Sequence, residues 1–326
     1  MKVFLTGATG YVGHELALAL AQNDIKVHAL VRDLKSSKIP KHKNISLLLG
    51  DIRDYDAIET AVRGCKYVFH AAAYTNLRDS NIEEFYQINV IGTHNVLKAS
   101  YKNRVKRVVC TSTLAVFGPS LKDIAITENQ PRLASYSNHY ELTKSMSEEV
   151  VFEFVKKGLH CSILNVTKVF GPGVETFSGG VNRFIKKIMK SDILVVPSKL
   201  DVVSNYVFIS DVVKAHMLAL RYGESGEKYI VGGENLSYEN LFVNIIKATN
   251  SKVKLIKINY RLIRTGLSAV NIIKRIVGGA SGVTTTVLDS LFVNRISSSQ
   301  KAISRLHYRI TPFNRGLQLT LRQFNK

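Results

Sequence analysis

A tyrosine and a lysine four residues apart are the side chains in this sequence whose types and spacing could carry out chemistry. Tyr140 and Lys144 fall in a predicted helix from 139 to 157, so their side chains leave the same helix face. An ammonium near a phenol favours the phenolate, which predicts a lowered pKa for Tyr140 and a role in proton transfer. Such a pair is also common on ordinary helix surfaces.

Hydroxyl side chains end a predicted strand that runs from 107 to 113. The last three residues are Thr111, Ser112 and Thr113. Strand ends of an open α/β sheet form the edge where ligands bind. We therefore expect these hydroxyls at a position where a substrate oxygen could be held.

The first turn of the chain has the glycine spacing of a dinucleotide site. A short apolar strand begins at Lys2, and Gly7, Gly10 and Gly13 follow it and open an amphipathic helix. Gly7 would take the tight turn, Gly10 would let the backbone approach a pyrophosphate, and Gly13 would let helix and strand pack closely. The helix N-terminus would offer N–H groups to the anion.

Strand and helix patterns alternate through the first half of the chain, which predicts an α/β, Rossmann-type doubly wound parallel sheet. Predicted strands are 26–31, 45–49, 67–72, 107–113, 161–167 and 229–231, and predicted helices are 55–62, 82–101, 139–157 and 211–220. Residues 1–170, with returns at about 206–232, would form the NAD(P)-binding domain. Residues 171–205 and 233–326 would form a smaller substrate-binding region beside the carboxyl edge of the sheet.

Composition indicates a globular intracellular protein with an unusual charge. The chain has 326 residues, 45% of them hydrophobic, with no long apolar run and no visible signal peptide. Cys65, Cys110 and Cys161 are widely spaced in apolar surroundings, which indicates core residues rather than disulfides or a metal site. The net charge is +20, and from Lys252 onward fourteen Lys and Arg stand against one acidic residue, Asp289.

Together with shorter motifs, the glycine turn and the Tyr/Lys pair resemble the extended short-chain dehydrogenase/reductase superfamily from about residue 1 to 320. Residues 140–144 are similar to its YxxxK signature, and Thr113, five residues before Gly118, matches its catalytic Ser or Thr. Val166 departs from the pattern, since many members carry proline there. The other matching segments are Thr6-Gly7-Ala8-Thr9-Gly10-Tyr11-Val12-Gly13, Asp51-Ile52, His70-Ala71-Ala72-Ala73, Asn89-Val90-Ile91-Gly92-Thr93, Phe170-Gly171-Pro172-Gly173, 205–212 and 299–302.

The resemblance implies a role for each catalytic residue. Tyr140 would donate or take the hydroxyl proton, Thr113 would hydrogen-bond the same substrate oxygen, and Lys144 would hold the nicotinamide ribose. Backbone groups near Asn165 and Val166 would hold the carboxamide. The remaining cofactor-binding positions that it implies are Gly7, Thr9, Gly10, Tyr11, Val12, Gly13, Arg32, Asp51, Ile52, Ala71, Ala72, Ala73, Asn89 and Thr111.

The end of the second strand favours NADP as cofactor, with NAD as the alternative. NAD-preferring members of the superfamily tend to carry an acidic residue there, whereas this chain has Val31 followed by Arg32. A guanidinium suits a 2′-phosphate. Asp33 could repel that phosphate, although Lys35 and Lys38 follow closely.

Three functions fit the resemblance. In nucleotide-sugar members an arginine commonly stands in the segment that is Val203-Ser204-Asn205 here, and residues 32–33, 64–70 and 262–277 look more like the dihydroflavonol reductase branch. We therefore expect hydride transfer between NADP(H) and a ketone or secondary alcohol on an apolar small molecule. A nucleotide-sugar epimerase or dehydratase with tightly bound NAD, or a non-catalytic cofactor-binding redox sensor, are the alternatives.

The basic C-terminal part predicts an amphipathic helix. Apolar and basic residues recur at near-helical spacing between 260 and 277, which is typical of peripheral association with an anionic membrane and also of a helix that covers a substrate cleft. No motif for specific nucleic-acid binding is present, and a homodimer stays open. The residues are Arg261, Leu262, Ile263, Arg264, Leu267, Val270, Ile273, Lys274, Arg275, Ile276 and Val277.

Overall fold

The alternation of strands and helices produces the expected parallel sheet in the computed structural model of the chain. Residues 1–77, 81–122, 124–176, 179–276 and 284–324 are described, 272–276 by their backbone only. The strands are β1 Lys2–Thr6, β2 Lys26–Val31, β3 Ile45–Leu49, β4 Tyr67–His70, β5 Arg107–Thr113, β6 Cys161–Val166, β7 Lys168–Phe170, β8 Ile193–Pro197, β9 Val203–Phe208, β10 Lys228–Val231, β11 Glu234–Ser237 and β12 Lys254–Ile258.

Seven strands form one sheet in the order β10-β6-β5-β4-β1-β2-β3, and every pairing in it is parallel. The chain order reverses between β1 and β4, which is the position where open α/β sheets bind their ligands, outside the carboxyl ends of the strands. The predicted Rossmann-type fold is therefore confirmed.

Helices cover both faces of this sheet and continue into the C-terminal part. They are α1 Tyr11–Gln22, α2 Tyr55–Val62, α3 Ile82–Tyr86, α4 Gly92–Lys102, α5 His139–Lys156, α6 Gly180–Lys190, α7 Ile209–Tyr222, α8 Tyr238–Thr249, α9 Tyr260–Ile276, α10 Thr285–Leu291, α11 Gln300–Leu306 and α12 Phe313–Phe324. Side-chain caps fix several starts; Asn138, for example, accepts a hydrogen bond from the Glu141 N–H at 2.9 Å and begins α5.

The sheet is buried on both faces because alternate residues of each strand enter different clusters. In β1, Val3 and Leu5 pack with α1, α7 and α11, whereas Phe4 packs with α2, α4 and α5. Cys65, Cys110 and Cys161 are free and buried, as their apolar surroundings predicted. This double burial explains why the strands of this sheet are continuous apolar runs in the sequence.

A separate core holds the elements that follow β6. β9 pairs in parallel with β7 and antiparallel with β11, while β8 and β12 form a two-stranded parallel sheet. Phe170, Ile185, Tyr206, Leu241 and Phe313 are buried together beneath α6, α8 and α12. The predicted division into a cofactor-binding domain and a substrate-binding region stays a prediction.

The structure corrects the predicted helix from 82 to 101. A π-helical turn, Gln87–Ile91, separates α3 from α4, so the segment is a helix with an insertion rather than one regular run. Such turns are frequent at functional sites because they change the direction of side chains. Here the turn contains Asn89, whose side chain donates to Thr143 of α5.

Other differences concern strand ends and small strands. β4 ends at His70 and β6 at Val166, each shorter than predicted, and the strands of the two small sheets had no separate prediction. Of the predicted basic helix, Val277 and the side chains of 272–276 lie outside the described residues. No helix in the described ranges is long and apolar enough to cross a membrane.

Candidate active site

Tyr140 and Thr113 meet at the carboxyl end of the large sheet. Thr113 is the last residue of β5, and Tyr140 is the second residue of α5, which starts beside that strand end. The Thr113 side chain is close enough to the Tyr140 phenol to lower its pKa, and the Thr113 hydroxyl accepts the N–H of Ala115 at 3.2 Å. The residues that the sequence predicts as proton donor and oxygen holder are thus brought together.

The predicted lowering of the Tyr140 pKa is wrong. Burial raises the pKa to about 12, the Thr113 hydroxyl acts in the opposite direction, and the neighbouring Glu141 carboxylate raises it further. The Lys144 ammonium, whose Nζ donates to the Thr111 carbonyl oxygen at 2.9 Å, is not among these causes. Tyr140 is therefore a protonated phenol at neutral pH.

Lys144 is buried, and its environment opposes its charge. Burial lowers the pKa of Lys144, while the negative charge of Glu148 acts in the opposite direction. Its hydrogen bond to Thr111 uses one of three ammonium donors. The remaining donors are available to a ligand at the sheet edge.

Only one of the three predicted strand-end hydroxyls faces Tyr140. Thr111 donates its hydroxyl to Nε2 of His216 at 2.8 Å, because Nδ1 of that buried histidine donates to the Val212 carbonyl. The Ser112 hydroxyl donates to Glu148 at 2.5 Å. Thr111 therefore contributes its carbonyl, which accepts from Lys144, while its hydroxyl is engaged by His216; its predicted part in cofactor binding stays a prediction.

Glu148 is a residue of the site that the sequence reading missed. It lies one helical turn beyond Lys144 and is buried. Its carboxylate accepts hydrogen bonds from Ser112, from the Asn165 amide at 2.7 Å and from Lys228 Nζ at 2.7 Å. The spacing 140, 144, 148 places three titratable side chains on one helix face and could have revealed it.

A buried Arg–Glu–Arg bridge lies directly behind Tyr140. The Glu141 carboxylate accepts one hydrogen bond from Arg132 and one from Arg295, each at 2.7 Å. Arg132 also donates to the carbonyls of Ala115 and Val116, in the turn that follows Thr113. The bridge thus ties the start of α5 to the strand-end turn and to the C-terminal part of the chain.

The glycine turn has the geometry that a dinucleotide requires. Gly7 has φ +80°, and a Cβ there would lie 2.6 Å from the Ala72 nitrogen. A Cβ at Gly13 would lie 2.2 Å from the Gly7 carbonyl oxygen, so helix and strand pack as closely as predicted. Gly10 precedes the first turn of α1, which no described side chain caps, so its N–H groups face the turn.

The Tyr11 side chain holds the glycine turn in place, a role that differs from its predicted contact with the cofactor. Its side chain is buried, and its hydroxyl donates to the Gly171 carbonyl at 2.6 Å and accepts from Asn182 at 3.1 Å. Burial raises the pKa of Tyr11 well above its ordinary value. The phenol therefore ties the turn to α6, while Thr9 and Val12 beside it are half-buried.

A buried histidine network supports the strand ends beside the glycine turn. His70 Nδ1 lies 2.8 Å from the Thr6 hydroxyl, and Nε2 lies 2.9 Å from the Thr93 hydroxyl. Thr93 donates to the Asn89 carbonyl at 2.6 Å, so Nε2 is the protonated nitrogen of His70. Burial, assisted by the Lys144 charge, lowers the pKa of His70 to about 3, so the ring is neutral.

Asn89 fixes the loop that follows β4. Its side chain accepts the Tyr74 N–H at 2.7 Å and donates to Thr143 of α5 at 3.0 Å. Ala71, Ala72 and Ala73 lie half-buried between β4 and this loop, and the Ala72 N–H donates to the Thr6 hydroxyl. The three alanines therefore lie at the edge where the sheet meets the glycine turn.

The predicted adenine side of the site contains Arg32, Asp51 and Ile52. Arg32 is exposed at the end of β2, while the side chain of Ile52 is buried against α4. Hydrogen bonds from Arg53 hold the pKa of Asp51 below its ordinary range, and the charge of Arg32 contributes in the same direction. The Asp51 carboxylate is thus already paired with a guanidinium.

The end of β6 carries two polar atoms without a partner. The Asn165 amide donates to Glu148 and to the Thr113 carbonyl, but its Oδ1 is buried and has no hydrogen-bond partner in the described structure. The hydroxyl of Thr167, which follows Val166, is likewise buried without one. Buried polar atoms are seldom left unpaired, so this strand end fits a polar ligand group such as a carboxamide.

No group of three or more His, Cys, Asp or Glu side chains within the described ranges is arranged to hold a metal ion. The glycine turn, the uncapped helix start and the two unpartnered polar atoms fit a dinucleotide lying across the switch point.

Comparison with known proteins places this chain among enzymes of related chemistry. It is 28% identical over 254 residues to a dihydroflavonol 4-reductase candidate of Synechocystis sp., covering 76% of this chain and 72% of that protein. It is 30% identical over 282 residues to the N-acetyl-alpha-D-glucosaminyl-diphospho-ditrans,octacis-undecaprenol 4-epimerase of Escherichia coli O157:H7, covering 85% and 81%.

A solved UDP-glucose 4-epimerase of Thermotoga maritima with UDP-glucose superposes with a TM-score of 0.83 at 21% identity, covering 100% of this chain and 99% of that one. At this identity the likeness shows the shared fold. The model of the NAD dependent epimerase/dehydratase family matches residues 3–232, which contain the glycine turn, Thr113, Tyr140 and Lys144. The chain belongs to the NAD-dependent epimerase/dehydratase family.

Proposed function

We propose that the chain is an NADP(H)-dependent oxidoreductase that reduces a ketone on an apolar small molecule. The observation that carries this is the approach of the Thr113 side chain to the Tyr140 phenol at the carboxyl end of β5, with buried Lys144 one turn along α5. Two neighbouring hydroxyls can both bond one carbonyl oxygen between them.

The chain's own residues would hold the cofactor across the switch point. The glycine turn and the start of α1 would take the pyrophosphate, Lys144 the nicotinamide ribose, and the strand end at Val166 and Thr167 the carboxamide. When bound, the nicotinamide supplies the hydride.

The raised pKa of Tyr140 favours the direction of reduction. A phenol that stays protonated at neutral pH can give its proton to a carbonyl oxygen as hydride reaches the carbonyl carbon, so that the ketone becomes a secondary alcohol. Thr113 would hold the same oxygen through its hydroxyl. Lys144 would then stabilise the phenolate that Tyr140 leaves behind.

The substrate region supports a substrate other than a nucleotide sugar. Ser204 and Asn205, in the segment where such enzymes commonly have an arginine, are buried and engaged within the protein. Lys168 donates to the Ser204 hydroxyl at 2.8 Å, and Asn205 bonds to Gly233 and Asn235. The reductase relative supports the reaction type, and the lipid-linked substrate in the name of the epimerase relative supports an apolar substrate.

A sugar 4-epimerase is the second candidate. The epimerase relative matches 85% of this chain, and the same Tyr, Thr and Lys chemistry can oxidise and reduce one sugar carbon in turn. An epimerase regenerates its cofactor in each cycle, whereas a reductase oxidises one NADPH for each product.

A turnover screen with purified full-length chain distinguishes these candidates. Ketones and secondary alcohols are tested with NADPH and NADP beside nucleotide sugars and a lipid-linked diphosphate sugar. We expect oxidation of NADPH in step with alcohol formed from an apolar ketone. Interconversion of sugars without net cofactor oxidation would establish the epimerase instead, and cofactor binding without any turnover would favour the redox sensor.

We also propose NADP as the preferred cofactor, because Arg32 is exposed at the end of β2 while Asp33 is turned into its own loop. The Asp33 carboxylate accepts the Lys35 N–H at 2.8 Å. Replacing Arg32 by alanine should weaken NADP binding by about tenfold or more and leave NAD binding nearly unchanged. Lys43→Ala, an exposed lysine before β3, is the matched control, and equal losses for both cofactors in the Arg32 variant would refute the preference.

A further inference from the structure

The two-stranded sheet of β8 and β12 has an apolar face that is open to solvent. Its register pairs Ile193 with Lys254, Val195 with Ile256 and Pro197 with Ile258, so these residues share one face. Ile193 is 53% exposed, Val195 52%, Ile256 47% and Ile258 37%. The opposite face carries Leu194 and Val196, which are buried. β8 is therefore packed onto the protein on one face and exposed on the other.

Positive charge surrounds this face. A cavity of about 510 Å³ at one end of the sheet is lined by Lys190 and Lys252, with Asp192 as its one acidic side chain. The Lys254 N–H donates to the Asp192 carbonyl, so the cavity adjoins the end of the sheet where Ile193 pairs with Lys254. Between 252 and 264 the sequence has no Asp or Glu and five basic residues, Lys252, Lys254, Lys257, Arg261 and Arg264, of which Lys257 pairs with Glu239 and Arg264 with Asp289.

The start of α9 continues the exposed surface. The helix begins two residues after β12, and Tyr260 anchors it to α10 through a 2.5 Å hydrogen bond to Asp289. Leu262, in its first turn, is 68% exposed beside the exposed Arg261. An apolar side chain and a cation thus extend the pattern of the sheet face.

We propose that the outer face of β8 and β12, with the lysines at its end and the first turn of α9, docks on an anionic lipid membrane. Branched apolar side chains enter the interface, and the surrounding lysines and arginines meet the lipid phosphates. This docking surface contains none of Thr113, Tyr140 and Lys144, so it is independent of the proposed reaction.

A second copy of the chain fits this surface less well. Four half-exposed side chains present far less than the roughly 800 Å² per partner that a stable protein interface buries. Two copies would also bring their basic rims together, which repel one another. A membrane supplies the opposite charge and needs no matching shape.

The test is co-sedimentation of the full-length chain with vesicles of phosphatidylcholine alone or mixed with phosphatidylglycerol, across a salt series. We expect binding to the anionic vesicles at low salt, loss of binding as salt rises, and no binding to the neutral vesicles. Failure to bind anionic vesicles at low salt would overturn the proposal.

Two pairs of variants separate the apolar face from the charges. Val195→Thr with Ile256→Thr keeps the branched shape, and Lys190→Glu with Lys252→Glu reverses the charge; each pair should weaken vesicle binding by about tenfold or more. The matched control variants change exposed residues outside the docking surface, and they should bind vesicles as the wild type does. They are Ile82→Thr with Ile303→Thr, and Lys41→Glu with Lys43→Glu.

Equal weakening by Lys190→Glu with Lys252→Glu and by the Lys41/Lys43 control would show that net charge alone acts, and would refute the docking surface. Sedimentation velocity without lipid gives a second check. A dimer that Val195→Thr with Ile256→Thr dissociates would assign the face to self-association and overturn the proposal. Thermal unfolding of every variant shows that the fold is retained.

Discussion

The strands β6 and β12 are both members of parallel sheets, yet their surroundings are opposite. All six residues of β6 are buried, whereas four of the five residues of β12 are exposed and the fifth is half-buried. β6 is enclosed by helices on both faces of the large sheet, and β12 forms one edge of a two-stranded sheet with an open face. The large sheet is thus a completed packing unit, while the small one presents a surface for contact.

The difference extends to the polar groups. Around α5 and the large sheet, buried polar side chains hold one another through short hydrogen bonds, as in the Thr6–His70–Thr93 series. Around β12 and α9 the charged side chains lie at the surface, where Lys257 pairs with Glu239 and Arg264 with Asp289. The hydrogen-bonded side chains around α5 are held rigidly, as a site for chemistry requires. The surface charges around β12 and α9 suit recognition of a partner by charge attraction.

The largest expected effect that this comparison predicts is on turnover. Tyr140→Phe removes the phenol hydroxyl beside Thr113, so turnover should fall by about two to four orders of magnitude while cofactor affinity and vesicle binding survive. Steady-state kinetics and cofactor titration measure the two effects. Tyr136→Phe, which removes an exposed hydroxyl bonded to Ser145, is the matched control. Undiminished turnover of Tyr140→Phe would exclude Tyr140 as the proton donor.

The same contrast explains how far the sequence could be read. Strands buried on both faces leave continuous apolar runs, so β2 and β5 were predicted with their observed bounds, and the apolar run of the half-exposed edge strand β3 predicted its bounds too. β11 has the sequence Glu-Asn-Leu-Ser, and β12 alternates with lysine, so neither differs from a loop by pattern. The β-propensity of a strand's own residues predicts little when contacts with the partner strand stabilise the pairing.

The candidate site divides in the same way. Tyr140, Lys144 and Glu148 are within reach of a spacing rule because one helix positions all three. Arg132 and Arg295 come to Glu141 from segments whose positions depend on the whole fold, and Arg295 is 154 positions along the chain from Glu141. Strand alternation puts Thr111 and Thr113 on one face, and only the contact with His216, 105 positions away, shows that the Thr111 hydroxyl is engaged elsewhere. Local periodicity predicts the faces of elements, and tertiary contacts determine what those faces meet.

Two glycine substitutions test the difference in packing directly. Gly13→Ala places a Cβ 2.2 Å from the Gly7 carbonyl oxygen, so it should lower the free energy of unfolding by about 3 kcal/mol and weaken cofactor binding. Gly266→Ala, within α9, meets nothing within 4 Å and should raise that free energy by about 0.5–1 kcal/mol. Urea unfolding measures both. Equal effects of the two substitutions would contradict the contrast between an enclosed and an open region.

The last expected effect is on stability at acidic pH, and it arises from the two histidines buried beside the large sheet. Burial lowers the pKa of His70 to about 3 and that of His216 to about 4, both below the value of about 6.5 for an unfolded chain. The unfolded chain therefore binds these protons first as pH falls. The stability that the neutral rings contribute is fully present above pH of about 6.5 and is lost progressively toward the folded pKa values.

Urea unfolding between neutral pH and about pH 4.5 should show this loss. Each histidine contributes up to about 1.4 kcal/mol per pH unit to the decline in the free energy of unfolding. His216→Gln removes one of these groups, so its stability should depend less steeply on pH than that of the wild type, even if its stability at neutral pH is lower. His307→Asn changes an exposed histidine on the left-handed residue after α11, a conformation that asparagine accepts, and is the matched control. An identical pH slope for His216→Gln and the wild type would show that the acid sensitivity arises elsewhere.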